Sequence, residues 1–179
     1  GSVGHLVGQL ASIHGARAVG VCGSDVKAKV LVEKLGFEAA VNYKSEDFRE
    51  ELKSATPDGV DVYFDNTGGM ILGSALFRMN KGGRIACCGV VSQYDTDKPE
   101  PSPKGIPGLL INKRLNMNGF LVFDYAERYA EARHQLLTWL ESGELQFLTD
   151  EVYGLEAAPQ AFVDLLSGGN LGSRVVRVN

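Results

Sequence analysis

The sequence predicts an α/β fold in which a parallel sheet is doubly wound, with helices on both of its faces. Short apolar segments alternate with amphipathic helical segments at a spacing of about 20 residues, the pattern of repeated strand–helix units. The apolar segments are also continuous, which is typical of parallel strands that are buried on both faces. The predicted strands are Ala18–Cys22, Glu38–Asn42, Val60–Asp65, Arg84–Gly89, Asn118–Phe123, Glu151–Tyr153 and Arg174–Val178.

Helical periodicity and capping residues predict the elements between these strands. An opening helix follows Gly4 and ends at Gly15, and a second helix begins at Ser24 or Asp25 and ends at Gly36. The remaining predicted helices are Glu46–Ala55, Met70–Met79, Leu109–Arg114, Ala126–Ser142 and Ala157–Leu166.

A proline-rich stretch from Tyr94 to Pro107 interrupts this pattern. It contains Pro99, Pro101, Pro103 and Pro107, which exclude a regular helix or a central strand. Long loops in compact domains often contact ligands. We therefore predict a functional lid or ligand-contacting loop, with a solvated connection as the alternative.

Composition excludes several classes of partner. The 179-residue chain has a formal net charge of −4, so it lacks the basic surface of a protein that binds nucleic acid or an anionic membrane. No apolar run reaches the roughly 20 residues that span a bilayer. Cys22, Cys87 and Cys88 have neither the spacing of a zinc site nor an even number for disulfides. We therefore expect reduced structural cysteines, no metal ligands and a cytoplasmic location.

The first residues of the chain form a candidate phosphate-binding turn. Gly1-Ser2-Val3-Gly4 leads directly into the opening helix, whose N-terminal N–H groups and dipole favour an anion. Glycines let a phosphate approach the backbone, so a dinucleotide pyrophosphate fits here. Such a turn normally follows a strand, and none precedes it in this sequence. A remnant of an expression tag is the alternative explanation of Gly1-Ser2.

Ligands of parallel sheets bind beyond the carboxyl ends of the strands, so the residues after each strand are candidates. Cys22-Gly23-Ser24 is small and neutral where NAD-binding proteins have an acid, and Lys27 follows one turn later. This combination favours the 2′-phosphate of NADP, with a solvated helix cation as the alternative for Lys27. Tyr43 follows the next strand, either near that phosphate or as a half-buried structural residue. Asn66-Thr67-Gly68-Gly69 and Cys88-Gly89 follow two further strands and suit the backbone of a dinucleotide.

Taken in order, these segments resemble the cofactor domain of the medium-chain dehydrogenase/reductase superfamily. Within it, the chain is similar to the zinc-free NADPH-dependent alkenal and prostaglandin reductases, which include leukotriene hydroxydehydrogenase and bacterial curcumin reductases. The resemblance implies a Rossmann fold. The matching segments cover the whole chain and are Gly1–Gly4, Gly23–Lys27, Leu35–Phe37, Val41–Lys44, Pro57–Gly69, Cys88-Gly89, Ser92–Tyr94, Gly119–Val122 and Gly169–Gly172.

The resemblance implies NADP(H) as cofactor and an α,β-unsaturated ketone or aldehyde as substrate. Hydride would pass to the β-carbon of the substrate, and the Tyr94 hydroxyl would stabilise the enolate as a hydrogen-bond donor. The implied cofactor-binding residues are Gly1, Val3 and Gly4 at the pyrophosphate, Ser24, Lys27 and Tyr43 at the adenosine phosphate, Asn66 and Cys88 at the nicotinamide-side ribose, Phe120, Leu121 and Val122 at the carboxamide, and Asn170 near the end of the chain.

The chain departs from this family in what it omits. Family members begin with a β-rich substrate domain and a first, central sheet strand, and this sequence contains neither. We therefore expect a cofactor-domain fragment, in which residues 1–144 form the NADP-binding domain and residues 145–179 return towards the missing substrate domain. Such a fragment should be weakly active or inactive by itself. Because the family commonly dimerises through an edge strand, residues 119–123 are the candidate surface for a homodimer.

Two other functions remain open at this point. A zinc alcohol dehydrogenase of the same superfamily could carry its metal ligands in the missing part, although Lys27, Tyr43 and Tyr94 favour the reductases. A non-catalytic NADP-binding module is the alternative from a different class. Tight NADPH binding without enone turnover would favour that module, whereas enone-dependent NADPH oxidation would favour the reductase.

Overall fold

The computed structural model describes residues 1–94, 97–98 and 103–178. In these ranges, strands and helices alternate along most of the chain. The strands are β1 (Val19–Cys22), β2 (Ala39–Asn42), β3 (Val60–Asp65), β4 (Met79–Cys87), β5 (Asn116–Gly119), β6 (Thr149–Tyr153) and β7 (Ser173–Arg177). The helices are α1 (Gly4–Ile13), α2 (Asp25–Leu35), α3 (Phe48–Ala55), α4 (Gly69–Arg78), α5 (Ile106–Lys113), α6 (Tyr129–Ser142) and α7 (Ala158–Leu166). Short 3-10 helices cover Val91–Gln93, Val122–Arg128 and Leu155–Ala157.

The strand pairings within the described residues are all parallel, which confirms the predicted α/β class. β1 pairs with β2, β4 lies between β3 and β5, and β6 pairs with β7. Because paired parallel strands end at the same edge, the residues that follow β1 and β2 lie side by side. The backbone N–H of Tyr43, for example, donates to the carbonyl of Cys22 over 2.9 Å.

The chain divides into two compact units. The first unit comprises Gly1–Glu46 together with the chain from Ala130 onward, and it contains β1, β2, β6 and β7. The second unit comprises Asp47–Tyr129 and contains the β3–β4–β5 sheet. The division into residues 1–144 and 145–179 remains a prediction.

In the first unit, a tight core forms around Phe37, which is buried together with Ala18 and Leu35. A Cβ added at Gly8 on α1 would lie 1.9 Å from Cζ of Phe37, and one added at Gly20 on β1 would lie 3.2 Å from Cδ1 of the same ring. Glycine is therefore required at position 8 because the ring contacts the backbone of α1 directly. This close contact sets how α1 packs on the neighbouring strand.

In the second unit, the core lies between α4 and the sheet. Leu72 and Leu76 of α4 pack on Met79 and Ile85 of β4, and all four are buried. The β3–β4 register shifts between Val60 and Val62, because β4 carries extra residues before Arg84. We predicted a separate turn at residues 81–83, and the structure makes this turn a bulge within one longer strand.

The predicted strand Asn118–Phe123 is wrong in its position. β5 ends at Gly119, and a 3-10 helix begins at Val122. The physical reason is a local turn: the Asp124 carboxylate accepts the N–H of Leu121 over 3.1 Å, and the Asp124 N–H returns a bond of 3.1 Å to the Leu121 carbonyl. Apolar composition alone suggested that the strand continued through these residues.

Other boundaries follow the capping chemistry. Ser24 is the N-cap of α2, since its hydroxyl accepts the N–H of Lys27 over 3.3 Å, and Gly36 ends the helix with a φ of 70°. α5 begins at Ile106, so Pro107 lies in a first helical turn and not in the predicted loop. Pro99 and Pro101 of that loop lie outside the described residues, so the predicted lid remains a prediction. Within the described ranges, no helix is long and apolar enough to cross a membrane.

Candidate functional site

In the first unit, the N-terminus of α1 is open to a ligand. The helix begins at Gly4, its N-cap Val3 supplies no side-chain cap, and its first turn contains no acidic residue. A Cβ added at Gly4 would meet no described atom within 4 Å. The N–H groups of His5 and Leu6 donate to the carbonyls of Gly1 over 3.3 Å and Val3 over 3.1 Å. Uncapped N–H groups and the positive end of the helix dipole are the features that hold a phosphate. The pyrophosphate contact of Gly1, Val3 and Gly4 stays a prediction, which the missing side-chain cap and the absence of an acid in the first turn of α1 support.

Asn170 lies beside this turn within the same unit. It is buried, and its Nδ2 donates to the carbonyl of Gly172 over 2.6 Å. The hydroxyl of Ser2 donates to the same carbonyl over 3.3 Å. The predicted pyrophosphate turn and the predicted Asn170 contact are therefore close together, although the Asn170 amide also holds its own loop.

Asp25, the acid nearest to the end of β1, already accepts a hydrogen bond from another side chain. Asn42 Nδ2 donates to the Asp25 carboxylate over 2.9 Å, and the Asn42 side-chain oxygen accepts the N–H of Lys44 over 3.1 Å. The N-cap of α2 was predicted at Ser24 or Asp25, and the structure places it at Ser24. With Asp25 bonded to Asn42, the strand end is left to the hydroxyl of Ser24 and to nearby cations.

Lys27 extends over this edge from the first turn of α2. Its Nζ donates to the carbonyl of Gly168 over 2.5 Å, and the side chain is half-buried. Burial lowers the pKa of Lys27, and the nearby Lys44 lowers it further. An ammonium group with reduced hydration and a neighbouring cation gains strongly from an incoming anion. The Asp150 carboxylate acts in the opposite direction and raises the pKa of Lys27, and a phosphate at this edge stays a prediction.

Tyr43 also lies at this edge, and Lys44 lies next to it. A Cβ added at Gly23 would lie 3.2 Å from both Cε1 and the hydroxyl oxygen of Tyr43, so the ring covers the glycine closely. Lys44 Nζ is 6.0 Å from the centroid of the same ring. Lys44 was absent from the predicted site, although its position directly after Tyr43 at a strand end was a signal that could have found it.

In the second unit, Asp65 organises the turn after β3. The residue is buried, and its Oδ1 accepts the N–H of Thr67 over 3.1 Å, the N–H of Gly68 over 3.0 Å and the hydroxyl of Tyr63 over 3.2 Å. Burial and the adjacent carboxylate raise the pKa of Tyr63, so its hydroxyl stays protonated and donating. Sequence reasoning missed Asp65 because an acid at a strand end is also common in turns.

The turn after β3 is bonded to the segment after β4. The N–H of Cys88 donates to the carbonyl of Asp65 over 2.7 Å, and the N–H of Val91 donates to the carbonyl of Asn66 over 3.1 Å. A Cβ added at Gly89 would lie 2.4 Å from Oδ1 of Asn66, so the Asn66 amide lies directly against the glycine backbone. Asn66 and Cys88, predicted at one ribose, are therefore neighbours.

An open cleft of about 560 Å³ lies at the carboxyl edge of the β4–β5 pair. This volume is in the range of ligand-binding pockets. Its lining residues are Cys87, Cys88, Gly89, Val90, Tyr94, Gly119, Phe120, Leu121 and Asp124. The cleft brings together the predicted residues Cys88, Tyr94, Phe120 and Leu121, whereas Val122 lies outside its lining. The side chain of Tyr94 is exposed at this cleft and is free to meet a ligand.

Several backbone groups that were predicted to dock the carboxamide already have partners. The N–H of Phe120 donates to Cys87 over 3.3 Å, and the N–H of Leu121 donates to Asp124 over 3.1 Å. The carbonyl of Val122 accepts the hydroxyl of Tyr129 over 3.0 Å. A ligand at this segment would have to use the second lone pairs of its carbonyls or replace one of these bonds.

Metal-binding side chains do not cluster in the part of the chain that the structure describes. No group of three or more His, Cys, Asp or Glu residues in that part could hold a metal ion. Cys22, Cys87 and Cys88 are free thiols, and burial raises the pKa of both Cys22 and Cys87. These two thiols therefore remain protonated and act as small packing residues.

Comparisons with known proteins match the whole chain. A sequence model of the family described as zinc-binding dehydrogenase matches residues 2–140. The chain is 44% identical over 182 residues to the 2-alkenal reductase (NADP(+)-dependent) of Nicotiana tabacum, covering 100% of this chain and 52% of that protein. It is 42% identical over 179 residues to prostaglandin reductase 1 of Bos taurus, covering 99% of this chain and 54% of that protein.

Solved structures agree with these matches. The crystal structure of CurA in complex with NADPH from Vibrio vulnificus is similar to this chain with a TM-score of 0.93 and 37% sequence identity. The similarity covers 100% of this chain and 54% of that chain. The chain therefore spans about half the length of the relatives that it matches.

Proposed function

Because the chain belongs to the zinc-binding dehydrogenase family of the medium-chain dehydrogenases/reductases, we propose that it is the NADP(H)-binding part of a reductase. The proposed reaction is the NADPH-dependent reduction of the carbon–carbon double bond of an α,β-unsaturated ketone or aldehyde. Relatives that are 44% and 42% identical, one named 2-alkenal reductase and the other prostaglandin reductase 1, support this reaction. The observation that carries the proposal is the cationic edge at Lys27.

At this edge, Ser24, Lys27 and Tyr43 would hold the adenosine 2′-phosphate. The Lys27 ammonium donates to a backbone carbonyl over 2.5 Å, so it is already positioned at the edge of β1 and β2. The exposed carboxylate of Asp25 accepts a hydrogen bond from Asn42. Lys44 adds a second positive charge near Lys27. A phosphate dianion therefore gains more here than a neutral hydroxyl group.

Each of the two units by itself contains residues predicted to bind the cofactor. Gly1, Val3 and Gly4 would present the open N-terminus of α1 to the pyrophosphate, and Asn170 would support that turn. In the second unit, Asn66 and Cys88 would border the ribose, and Phe120, Leu121 and Val122 would orient the carboxamide through their backbone groups.

Tyr94 is the proposed catalytic donor. When bound, the cofactor would supply a hydride for the β-carbon of the substrate. Negative charge would then develop on the carbonyl oxygen of the substrate until the enolate takes up a proton to give the saturated product. A phenol hydroxyl donated to that oxygen stabilises the enolate, as an oxyanion hole does. The exposed Tyr94 side chain at the cleft on the carboxyl edge of the β4–β5 pair supports this role.

Enone-dependent oxidation of NADPH by the whole protein tests this function. We expect Tyr94→Phe to lower kcat by about tenfold to a thousandfold while the Kd for NADPH stays within about twofold, because one donor to the oxyanion is lost. Tyr153→Phe is the matched control, since Tyr153 is exposed and donates to Glu151 over 3.3 Å. An unchanged kcat for Tyr94→Phe would remove this residue from the mechanism.

We also propose that the protein is a cytoplasmic homodimer. The outer position of β5 in the sheet of the second unit and the exposed apolar side chains of Leu121, Val122 and Phe123 support self-association. The three free thiols support a reducing compartment. Phe123→Glu should convert a dimer into a monomer in sedimentation experiments. A parent protein that sediments as a monomer would overturn the dimer proposal.

A further inference from the structure

The turn after β3 depends on one buried acid that has no role in the function proposed above. Asp65 is 2% exposed, and three donors converge on its Oδ1: the N–H groups of Thr67 and Gly68 and the hydroxyl of Tyr63. Hydrogen bonds to a charged carboxylate are stronger than neutral ones, and three of them fix both the side chain and the turn. These three hydrogen bonds therefore hold the Asp65 side chain in a single arrangement.

The backbone of Asp65 is also hydrogen-bonded to the segment after β4. Its carbonyl accepts the N–H of Cys88 over 2.7 Å and the N–H of Gly89 over 3.3 Å. The next two carbonyls of the turn, those of Asn66 and Thr67, accept the N–H groups of Val91 and Ser92 over 3.1 Å and 3.0 Å. The two segments are thus joined by consecutive hydrogen bonds that begin at Asp65.

The turn also contains a glycine with an unusual backbone conformation. Gly68 has a φ of 73° and a ψ of −151°, a conformation that only glycine adopts without strain. The N–H of Gly68 is one of the donors to Asp65, so the carboxylate holds the turn at the residue that has a positive φ. Without that acceptor, glycine has many other conformations available and the turn loses its definition.

We propose that Asp65 is a positioning residue that fixes Asn66 on one segment and the path towards Tyr94 on the other. This inference rests on the proposed function, because it assigns these two residues to the nicotinamide end of the cofactor site. Asp65 acts through Asn66 and Tyr94, and it does not itself touch the cofactor or the substrate. The role of Tyr63 is to donate the third bond that keeps the Asp65 carboxylate in place.

The experiment compares Asp65→Ala with Asp61→Asn in the whole protein. Asp61 lies on the same strand β3 and is exposed, so Asp61→Asn is a matched control. Three quantities are measured: amide hydrogen exchange at Thr67 and Gly68 without cofactor, the Kd for NADPH, and the Kd for 2′,5′-ADP. The last probe carries the adenosine phosphate but no nicotinamide, so it reports only on the other end of the site.

For Asp65→Ala we expect exchange at Thr67 and Gly68 to be at least about tenfold faster, because two amide donors lose their acceptor. NADPH should bind at least about tenfold more weakly, with altered fluorescence of the bound reduced nicotinamide, while the Kd for 2′,5′-ADP stays within about twofold. Asp61→Asn should leave all three quantities unchanged. Unchanged NADPH binding, or an equal loss of NADPH and 2′,5′-ADP binding, would overturn the proposal.

Asp65→Asn keeps the test decisive if Asp65→Ala does not fold. Its amide oxygen retains an acceptor for the same three donors but lacks the negative charge, so we expect about threefold weaker NADPH binding with unchanged 2′,5′-ADP binding. NADPH binding equal to that of the parent protein would overturn the proposal. Failure of the proposed function is distinguishable, because the parent protein would then bind NADPH without oxidising it in the presence of an enone.

Discussion

At the scale of single residues, the hydrogen bonds of the two ring nitrogens of His5 determine its protonation state. Nδ1 lies 2.9 Å from the carbonyl of Gly1, and Nε2 accepts the N–H of Leu148 over 3.2 Å. One nitrogen must donate and the other must accept, so the bonded form is the neutral imidazole. Burial lowers the pKa of His5, which agrees with this assignment.

The pH dependence of stability follows from this lowered pKa. Because folded His5 binds protons less readily than unfolded histidine, its contribution is complete above the ordinary pKa of 6.5 and is lost as the pH falls below that value. We expect the free energy of unfolding to fall more between pH 8 and pH 5 in the parent than in His5→Asn. Urea denaturation at both pH values measures this difference, with the exposed His134→Asn as control. Equal losses in the parent and in His5→Asn would contradict this account.

Asp25 shows how a distant residue determines the hydrogen bonds of an acid at the end of a strand. The sequence alone allowed Ser24 or Asp25 as the cap of α2, and Asn42, the partner of Asp25, lies 17 positions away. Strand pairing brings the two together, since β1 and β2 end at the same edge. Such a contact cannot be predicted from local spacing. The sequence nevertheless indicated the correct character of the edge, because it contains no other acid at the end of β1.

At the scale of elements, α1 joins the later chain through its polar face. Gln9 donates from Nε2 to the carbonyl of Gln146 over 2.9 Å and accepts the N–H of Gln146 over 2.8 Å. These paired bonds imitate the hydrogen bonding of a neighbouring strand. The apolar periodicity of α1 predicted a helix correctly, but this periodicity gave no sign that its buried polar residues hold residues 146–148.

The end of α4 is closed by a lysine from another helix. Lys113 of α5 donates from Nζ to the carbonyls of Phe77 over 2.8 Å and Met79 over 2.7 Å. Burial lowers the pKa of Lys113, and the positive charge faces the negative end of the α4 dipole. We expect Lys113→Met to lower the free energy of unfolding by about 1 to 2 kcal/mol, because two helix-end carbonyls lose their donor.

The control for this change is Lys81→Met, which alters an exposed lysine of the bulge in β4. Urea denaturation of both variants measures the difference. Equal stabilities of Lys113→Met and Lys81→Met would show that the lysine contacts at the end of α4 contribute little.

Predictions of elements succeeded where periodicity and caps agreed. The bounds of α2 follow from Ser24 and Gly36, and those of α4 differ from the prediction by one residue at each end. They failed at residues 118–123, where a side-chain bond from Asp124 ends an apolar run. The Asp65 network escaped detection for a similar reason, since its Tyr63 and Gly68 partners are identified only once the strand and turn are folded.

At the scale of the whole molecule, the family and the fold class agree from sequence to structure. The predicted parallel α/β architecture is confirmed, and the similarity to CurA covers 100% of this chain. Activity belongs to the whole protein, because this chain spans only about half of its relatives. The contribution that we propose for this chain, the binding and orientation of NADP(H), can be measured without turnover.

The most direct measurement compares the Kd values for NADPH and NADH in the parent protein and in Lys27→Gln. The two cofactors differ only in the 2′-phosphate, so their ratio isolates the edge formed by Ser24, Lys27 and Tyr43. We expect the parent to bind NADPH at least about tenfold more tightly than NADH, and Lys27→Gln to remove most of this preference while NADH binding changes by less than about twofold. Lys29→Gln, in the same helix and exposed, should leave the ratio unchanged. Equal binding of NADPH and NADH by the parent, or an unchanged ratio in Lys27→Gln, would contradict the account.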